Sequence, residues 1–350
     1  MASGQKKPSS SKLNIVLAYF LFLILLLALF AASAEIILRK MGERPFVVRY
    51  PEIVTEPEGR YIIEHDSLGY TNRPGEYKIT LPTSYSFTVT HLENNLRATQ
   101  PVSEYGNGNE KDEIWIFGCS FTYGWSLSDE ETFPWLLQQK FPQYEIRNFG
   151  VIGFGSVHAL IQLQEALKIQ KKPKIAVLVY ASFHNERNTI LRSRKKQLVP
   201  YNKGGTIIQP YARFDGDGKL KYEMTRVDYR EFPFMRHSAL IHYIEKKYNL
   251  YEDLFYHSRE VTMAIIDEFA ALAEENGVTL IMAGITRDDA TAEMLEFANG
   301  KGVRTVDISV DPEVKEYTNK PHDPHPSAVA NINYSERLEP FLKGVIAGQM

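Results

Sequence analysis

A single serine stands where an open α/β sheet places its chemistry. The apolar, β-prone run 114–117 ends at Gly118, and Ser120 follows two residues later. Small polar residues at the carboxyl end of a first buried strand lie at the binding crevice of such sheets. Taken alone, Ser120 is more simply a turn residue or a helix cap. Residues elsewhere in the chain are needed to choose between the catalytic and the structural interpretation of Ser120.

The chemistry open to such a serine is nucleophilic attack on an acyl group. A serine hydroxyl is a poor nucleophile near neutral pH until a base takes its proton, and histidine has a suitable pKa. A carboxylate on the other ring nitrogen would fix the histidine tautomer. The oxyanion of the tetrahedral intermediate needs preorganised donors, which glycine backbone and amide side chains provide. Each of these residue types follows a later strand of the chain.

Strands and helices alternate from residue 113 onward. The strand candidates are 113–118, 144–149, 174–180, 278–284 and 303–309, and the helical stretches are 132–141, 156–170, 258–276 and 287–299. Such alternation predicts a parallel sheet with helices on both faces. We therefore expect an α/β protein, a three-layer α/β/α sandwich around a five-stranded parallel sheet.

Two segments lie outside this pattern. Residues 192–256 contain the turn signals NKGGT and DGDGK, which predict a β-hairpin, followed by a helix near 238–249. An insertion after the third strand would sit above the carboxyl edge of the sheet, where it could cover a site. Residues 41–111 are irregular and poor in strand signals, with one or two edge strands predicted within 77–91.

Four segments, in this order, resemble the signature blocks of the SGNH/GDSL hydrolase family. GCSFTYG resembles the first block and makes Ser120 the nucleophile and an oxyanion donor. NFGVIG and FHNE resemble the blocks that supply the other two donors, here Gly153 and Asn185. DPHP resembles the block of the acid and the base, here Asp323 and His325. The resemblance implies a flavodoxin-like SGNH hydrolase fold and a serine esterase.

The resemblance covers about residues 113–348 and has two departures. The family's aspartate before the nucleophile is Cys119 here. The family's Asp-x-x-His spacing is Asp-x-His, with His322 three residues before His325. On an extended segment the side chain of Cys119 should point away from that of Ser120, so we expect a buried packing role for it.

Each site residue also has an ordinary interpretation. Asp323 alone would be a turn residue, His325 a surface histidine and Asn185 a helix cap. Gly153 could simply shape a strand-to-helix turn. Their joint placement favours the functional interpretation, although His184 remains an alternative polar group in its block.

Composition excludes several classes of function. The net charge is -3 and the basic residues are scattered, so nothing favours nucleic-acid binding. A single cysteine rules out an internal disulfide and any multi-cysteine metal site. His158, His184 and His322 show no metal-ligand spacing. We expect neither a metal nor a cofactor.

The N-terminal segment predicts a membrane helix. Residues 13–34 carry no charge and are long enough to cross a bilayer. Ala32-Ser33-Ala34 fits a cleavage pattern, but the apolar run is long and continues through 35–38, so an uncleaved anchor is expected. Basic residues flank the span on both sides and leave its orientation open. The family resemblance favours an extracytoplasmic body.

These observations give a domain plan. We expect a cytoplasmic tail at 1–12, a membrane anchor at 13–38, a linker and edge-strand region at 39–111, and a hydrolase domain at 112–350 with the insertion 192–256. The expected function is a membrane-anchored, single-pass esterase that removes O-acyl groups, acetyl first among them, from a small molecule or an envelope glycan.

Two other functions are compatible with the same sequence. The same residues could pass the acyl group to a cell-surface glycan, which would make the protein an O-acyltransferase. Alternatively, the domain could be a catalytically silent binding or assembly subunit of an envelope complex. The departures at Cys119 and at the Asp-x-His spacing are the only support for this second alternative.

Overall fold

The computed structural model describes residues 10–48, 52–106 and 111–348. Residues 1–9 of the predicted tail, with Lys6 and Lys7, lie outside these ranges. The chain forms two compact units, one of residues 1–49 and 230–251 and one of residues 50–229 and 252–350. The predicted boundaries after residues 12, 38 and 111 stay predictions.

The helices and strands are numbered along the chain. The helices are α1 (Ser10–Lys40), α2 (Ser120–Tyr123), α3 (Phe133–Lys140), α4 (Ser156–Ile169), α5 (His184–Asn188), α6 (Arg192–Leu198), α7 (Ala239–Tyr256), α8 (Ser258–Glu275), α9 (Asp289–Gly300) and α10 (Ala328–Ile346). The strands are β1 (Val54–Glu56), β2 (Ile62–His65), β3 (Gly69–Asn72), β4 (Gly75–Thr80), β5 (Ser86–His91), β6 (Asp112–Phe117), β7 (Tyr144–Asn148), β8 (Ile175–Tyr180), β9 (Ile208–Phe214), β10 (Leu220–Arg226), β11 (Thr279–Gly284) and β12 (Arg304–Asp307).

The smaller unit contains the apolar helix α1. The most apolar part of its segment Leu13–Lys40 has a mean hydropathy of 3.0 and is entirely exposed. By length and composition it is either a membrane-spanning helix or a signal sequence. Near its end, Glu35 accepts hydrogen bonds from the hydroxyl of Ser238 and the backbone N–H groups of Ala239 and Leu240. The carboxylate thus caps the first turn of α7 and fixes the two helices together.

The larger unit is built on the predicted five-stranded parallel sheet. Its strand order is β12-β11-β8-β6-β7, and every neighbouring pair is parallel. Counted along the chain, this is the flavodoxin-like order 2-1-3-4-5. The predicted strands and helices of this part of the chain all occur, with ends shifted by one or two residues. The fold prediction is confirmed.

Helices cover both faces of this sheet because its strands are apolar on both sides. Trp115 and Phe117 of β6 face a core that α4, α8 and α9 complete. Ile114 and Ile116 of the same strand face the opposite core, which α3 and α10 complete. Successive side chains of a strand point to opposite faces, so β6 contributes to both cores and the predicted three layers follow.

The strand order places a crevice at the end of β6. The chain leaves β6 toward β7 on one side, and β8 lies on the other side of β6. Ligands of open α/β sheets bind outside the carboxyl ends of the strands at such a switch in direction. The residues after β6 and β8 therefore meet above this edge.

The residues before β6 contain more strand than the sequence indicated. Strands β1, β4 and β5 form an antiparallel sheet, and β2 pairs with β3. The strands predicted within 77–91 occur as β4 and β5, but the expectation that the rest of the region is irregular was wrong. The sequence did not indicate β1, β2 and β3, which have only three or four residues each. Runs that short carry no readable alternation. In the insertion, the predicted hairpin is β9 and β10, and the predicted helix is α7.

His91, the last residue of β5, is buried in the larger unit as a neutral ring. Its Nδ1 lies 2.9 Å from the carbonyl oxygen of Arg73, so Nδ1 carries the proton and donates it. Nε2 then accepts from the hydroxyl of Tyr123 at 2.8 Å. Burial lowers the pKa of His91 to about 4, and the positive charge of Arg97 adds to the effect.

We predict that this histidine makes the fold sensitive to mild acid. The unfolded chain binds a proton near pH 6.5, whereas folded His91 resists it until about pH 4. Its stabilising contribution is complete above pH 6.5 and falls by about 3 kcal/mol on going down to pH 4. Urea unfolding of the wild type and His91→Gln at pH 7 and pH 5 should show a smaller loss in the variant. An equal loss in both proteins would contradict the assignment.

Candidate active site

Ser120 lies at the start of α2, directly beyond the carboxyl end of β6. The backbone turns sharply there, and a Cβ on Gly118 would lie 2.1 Å from Oγ1 of Thr122, so only glycine fits. Cys119 is buried as expected, and the thiol is free. The side chain of Ser120 contributes to the wall of a cavity.

Ser120, His325 and Asp323 form a continuous chain of hydrogen bonds. Nε2 of His325 lies 2.9 Å from Oγ of Ser120. Nδ1 of His325 lies 2.5 Å from Oδ1 of Asp323. Since a carboxylate can only accept, Nδ1 carries the ring proton, and Nε2 is left to accept the proton of the serine hydroxyl. This is the tautomer that a general base requires.

The short Asp-x-His spacing is compatible with this contact. Oδ1 of Asp323 accepts from the backbone N–H of His325 at 2.8 Å as well as from its ring. This is an Asx turn, which folds the carboxylate back over the residue two positions on. Oδ2 accepts from the indole N–H of Trp125 at 3.2 Å. Burial alone would raise the pKa of Asp323, but the hydrogen bonds from His325 and Trp125 outweigh it and lower that pKa.

Gly153 lies in the loop after β7 with its backbone held from two sides. Its φ is +84°, and a Cβ there would lie 2.5 Å from the hydroxyl of Tyr70. That hydroxyl donates to the carbonyl oxygen of Ile152 at 2.7 Å, and a guanidinium nitrogen of Arg194 donates to the carbonyl oxygen of Gly153 at 2.6 Å. In a trans peptide the N–H points opposite to the carbonyl, so Tyr70 sets the direction of the Gly153 N–H.

The structure does not bring Asn185 to this cavity. Its Oδ1 accepts from the hydroxyl of Tyr180 at 2.9 Å, and Asn185 is not part of the cavity wall. The reason is that the residues after β8 form the helical turn α5. Arg187 lies two positions on, roughly 200° around the helix axis, and it faces the cavity instead. The prediction of Asn185 as an oxyanion donor is not supported by this placement.

The cavity beside Ser120 has a volume of about 410 Å³. Ser120 and Gly153 come from the sheet edge, and the residues before β6 and the insertion provide most of the remaining wall. From the first of these regions come Ile53, Tyr61, Ile62, Tyr70, Leu81 and Pro82, and from the insertion come Arg194, Gln197, Leu198, Tyr201 and Ile207. The insertion therefore covers the site, and most of the wall is apolar.

Sequence reasoning missed Trp125, Tyr70, Arg187 and Arg194. Each acts through a partner far away in the sequence, and no local pattern marks such a contact. A weak signal was available only for Arg187, since it stands in the block that also contains Asn185.

The other histidines do not form a second site with Ser120. His322 lines the cavity, stacks on Tyr85 and makes a hydrogen bond with the hydroxyl of Thr83. His184 is fully buried and contacts Ser156. Over residues 10–48, 52–106 and 111–348, the structure has no group of three or more His, Cys, Asp or Glu side chains that could hold a metal ion.

Comparisons with known proteins add little to this geometry. No protein-family model and no curated protein matches the chain. Among solved structures, TesA has a TM-score of 0.39 at 13% identity and covers 66% of this chain and 98% of its own. A member of the lipolytic protein G-D-S-L family from Veillonella parvula has a TM-score of 0.37 at 10% identity, covering 66% and 98%. AlinE4, an SGNH-hydrolase family esterase, has a TM-score of 0.34 at 14% identity, covering 70% and 99%.

These TM-scores and identities are too low to carry a functional argument. The chemistry of this chain therefore has to follow from its own site.

We predict that Gly153→Ala destabilises the protein. A side chain at φ +84° costs ~1–2 kcal/mol, and its Cβ would also displace the hydroxyl of Tyr70. Urea unfolding should show a loss of at least that size in the free energy of unfolding. Gly300→Ala is the matched control, since Gly300 has ordinary φ and open space around it and should lose nothing. Equal stability of both variants would contradict the close approach described here.

Proposed function

We propose that this chain is a serine esterase of the SGNH/GDSL type that cleaves O-acyl esters through an acyl-enzyme. The observation that carries the proposal is the hydrogen-bond chain from Ser120 through His325 to Asp323, which opens onto a cavity. The order of the four sequence blocks supports the same function. A silent binding module would have no need of a histidine in the tautomer that activates a serine.

The first half of the reaction forms the acyl-enzyme. Oγ of Ser120 attacks the ester carbonyl while Nε2 of His325 takes its proton, and the carboxylate of Asp323 stabilises the imidazolium. The carbonyl oxygen becomes an oxyanion. When the intermediate collapses, the imidazolium gives its proton to the leaving alcohol, and the acyl group stays on Ser120.

The second half releases the acid. His325 takes a proton from water, which attacks the acyl carbon, and Ser120 leaves with the proton from the imidazolium. Attack by a sugar hydroxyl in place of water would give the transferase. The contacts of Ser120, His325 and Asp323 are the same for both reactions, so we propose hydrolysis, which requires no second substrate site.

Two backbone N–H groups are available to stabilise the oxyanion. Those of Ser120 and Gly153 donate to no acceptor in the part of the chain that the structure describes. Removal of one such donor typically slows a reaction about 10²–10³-fold. We therefore assign the oxyanion to Ser120 and Gly153 and leave Asn185 out of this role.

The reaction needs no metal or cofactor, since the proton transfers and the charge stabilisation come from protein groups. The cavity of about 410 Å³ is of the size that takes a small molecule rather than an acetyl group alone. We therefore propose an ester substrate whose larger part fills the cavity. Whether a glycan supplies that part depends on the groups in the cavity wall.

We further propose that α1 anchors the enzyme in a bilayer, with residues 41–350 on the extracytoplasmic side. The support is the exposed apolar surface of α1 and the contact of its end with α7. The charge distribution around α1 does not fix the direction, so the orientation rests on the family resemblance.

We predict that a fluorophosphonate probe labels Ser120 in the detergent-solubilised protein. An activated serine attacks the phosphorus, whereas unactivated serines do not react at a comparable rate. Labelling should disappear in Ser120→Ala and fall by at least about 10³-fold in His325→Ala, because the base is lost. Gel fluorescence together with release of 4-nitrophenol from 4-nitrophenyl esters measures both effects.

The control for this labelling is Ser86→Ala, which changes an exposed serine at the start of β5. This variant should keep its label. A well-folded wild type that takes no label and hydrolyses no ester would contradict the enzymatic proposal and favour the silent binding module.

The orientation of the chain in the membrane is tested separately. We predict that protease added outside bacterial spheroplasts removes a C-terminal tag from the full chain, while the tag on inside-out vesicles is protected. The protein should stay in the membrane pellet after carbonate extraction because α1 remains attached. Protection in spheroplasts would reverse the orientation, and release by carbonate would contradict the anchor.

A further inference from the structure

Two arginines line the cavity beside Ser120. Arg194 of α6 is only 4% exposed, and its guanidinium donates to the carbonyl oxygen of Gly153 and, at 3.2 Å, to Oε1 of Gln197. Its Nε is buried and has no partner among the residues that the structure describes. An arginine with an unused donor is therefore buried in the cavity wall.

Arg187 of α5 is the second cation in the wall. One of its terminal nitrogens donates to the carbonyl oxygen of Phe154 at 2.9 Å, and its guanidinium lies 4.2 Å from the centre of the ring of Phe183. Its Nε is also buried and finds no acceptor within the described ranges. Neutral groups thus orient the guanidinium without neutralising it.

No carboxylate in the described part of the chain pairs with either arginine. Asp323 lines the same cavity but binds His325 and Trp125. Glu186 reaches Arg194 only through Gln197, which donates to Glu186 at 3.2 Å. The positive charge of the two guanidinium groups is therefore left largely uncompensated.

The groups around the two arginines do not offset their positive charge. Burial first, and then the charge of Arg187, lower the pKa of Arg194 to about 10, so it remains protonated at neutral pH. The same burial and the two arginines hold the pKa of His158 and His184 well below the usual value, so both rings stay neutral. Burial of an unpaired charge is strongly unfavourable. An anion in the cavity would remove that cost.

The contact of Arg194 with Gly153 gives one guanidinium a positioning role, but it does not explain the unused donors or the second arginine. Guanidinium groups bind carboxylate and phosphate oxygens with two parallel donors, a geometry that lysine cannot provide. The cavity that holds both arginines also holds the nucleophile.

We propose that Arg187 and Arg194 bind an anionic group, a carboxylate or a phosphate, on the ester that Ser120 attacks. This inference rests on the esterase proposed above and specifies its substrate class. An uncharged acetylated sugar would leave the arginines unpaired, whereas an ester with an acid group would pair them. Either the acyl part or the alcohol part of the ester carries the anion, and the experiment separates these two sources.

The test uses pairs of esters that differ only in charge. The mono-4-nitrophenyl ester of adipic acid and its methyl ester place the charge on the acyl part. The acetate ester of 4-hydroxybenzoic acid and its methyl ester place it on the alcohol part. The measured quantity is the ratio of kcat/KM for the charged and uncharged member of each pair, with the full-length protein in detergent. We expect a ratio well above 1 for one pair.

The variants are Arg187→Gln and Arg194→Gln, with Arg226→Gln as the control. Arg226 is an exposed arginine of β10 outside the cavity wall. Loss of one charge-assisted hydrogen bond should lower the ratio about 10- to 100-fold in either cavity variant and leave it unchanged in the control. Arg194→Lys should keep part of the preference. A purely structural arginine would lower both rates together and leave the ratio as it was.

The outcomes separate the two proposals. Two results would overturn the anion site and leave the esterase proposal intact. In the first, the wild type hydrolyses the charged and uncharged esters equally well. In the second, both cavity variants keep the preference for the charged ester. If the wild type hydrolyses none of the esters, the melting temperature of Ser120→Ala in the presence of each compound tests the anion site instead. Stabilisation by a charged member alone supports the anion site, and no stabilisation overturns it.

Discussion

The positions of the proposed catalytic groups depend on one buried arginine. Arg97 is fully buried, and its Nε donates to Oδ1 of Asp129 at 2.9 Å. Its terminal nitrogens donate to the carbonyl oxygens of Tyr123, Gly124 and Leu127 at 2.6, 2.7 and 2.7 Å. These carbonyls end α2 and form the turn behind Ser120, the proposed nucleophile. Breaking a buried ion pair is strongly unfavourable because it leaves an unpaired charge, so this turn is held in a single arrangement.

The same residue connects that turn to the loop of Gly153, the second proposed oxyanion donor. The backbone of Arg97 bridges to Asn148 at the end of β7. Asn148 in turn donates from its amide to the carbonyl oxygen of Thr122 and accepts from the backbone N–H of Gly150 at 2.9 Å. The loop toward Gly153 and the helix of the nucleophile are therefore aligned by shared partners. The proposed stabilisation of an oxyanion requires this rigidity, since donors that reorganise during the reaction lose their effect.

The sequence predicted the parts of the structure that follow from local pattern and topology. Each parallel strand is a largely apolar run, and its alternation with helices predicts a parallel sheet covered on both faces, although not the order of its strands. Ser120, Asp323 and His325 meet because each follows a strand at the same sheet edge. Asn185 is not part of the cavity wall, because the residues after β8 form a short helical turn whose rotation cannot be derived from composition. Arg187 was missed for the same reason, since the rotation that removes the asparagine brings the arginine into the cavity.

Different segments of the larger unit supply the proposed catalytic groups and the cavity wall. The substrate is therefore harder to derive from the sequence than the chemistry. The sheet edge supplies the proposed nucleophile and the proposed backbone donors, and strong local constraints fix both. The cavity wall comes mainly from the region before β6 and from the insertion, and both pack around a sheet that is already complete. Segments of this kind can change without loss of the core, and they set which ester fits. Arg194 belongs to the insertion yet also holds the carbonyl of Gly153. The proposed recognition of the substrate and the alignment of Gly153, the proposed oxyanion donor, thus depend on one side chain.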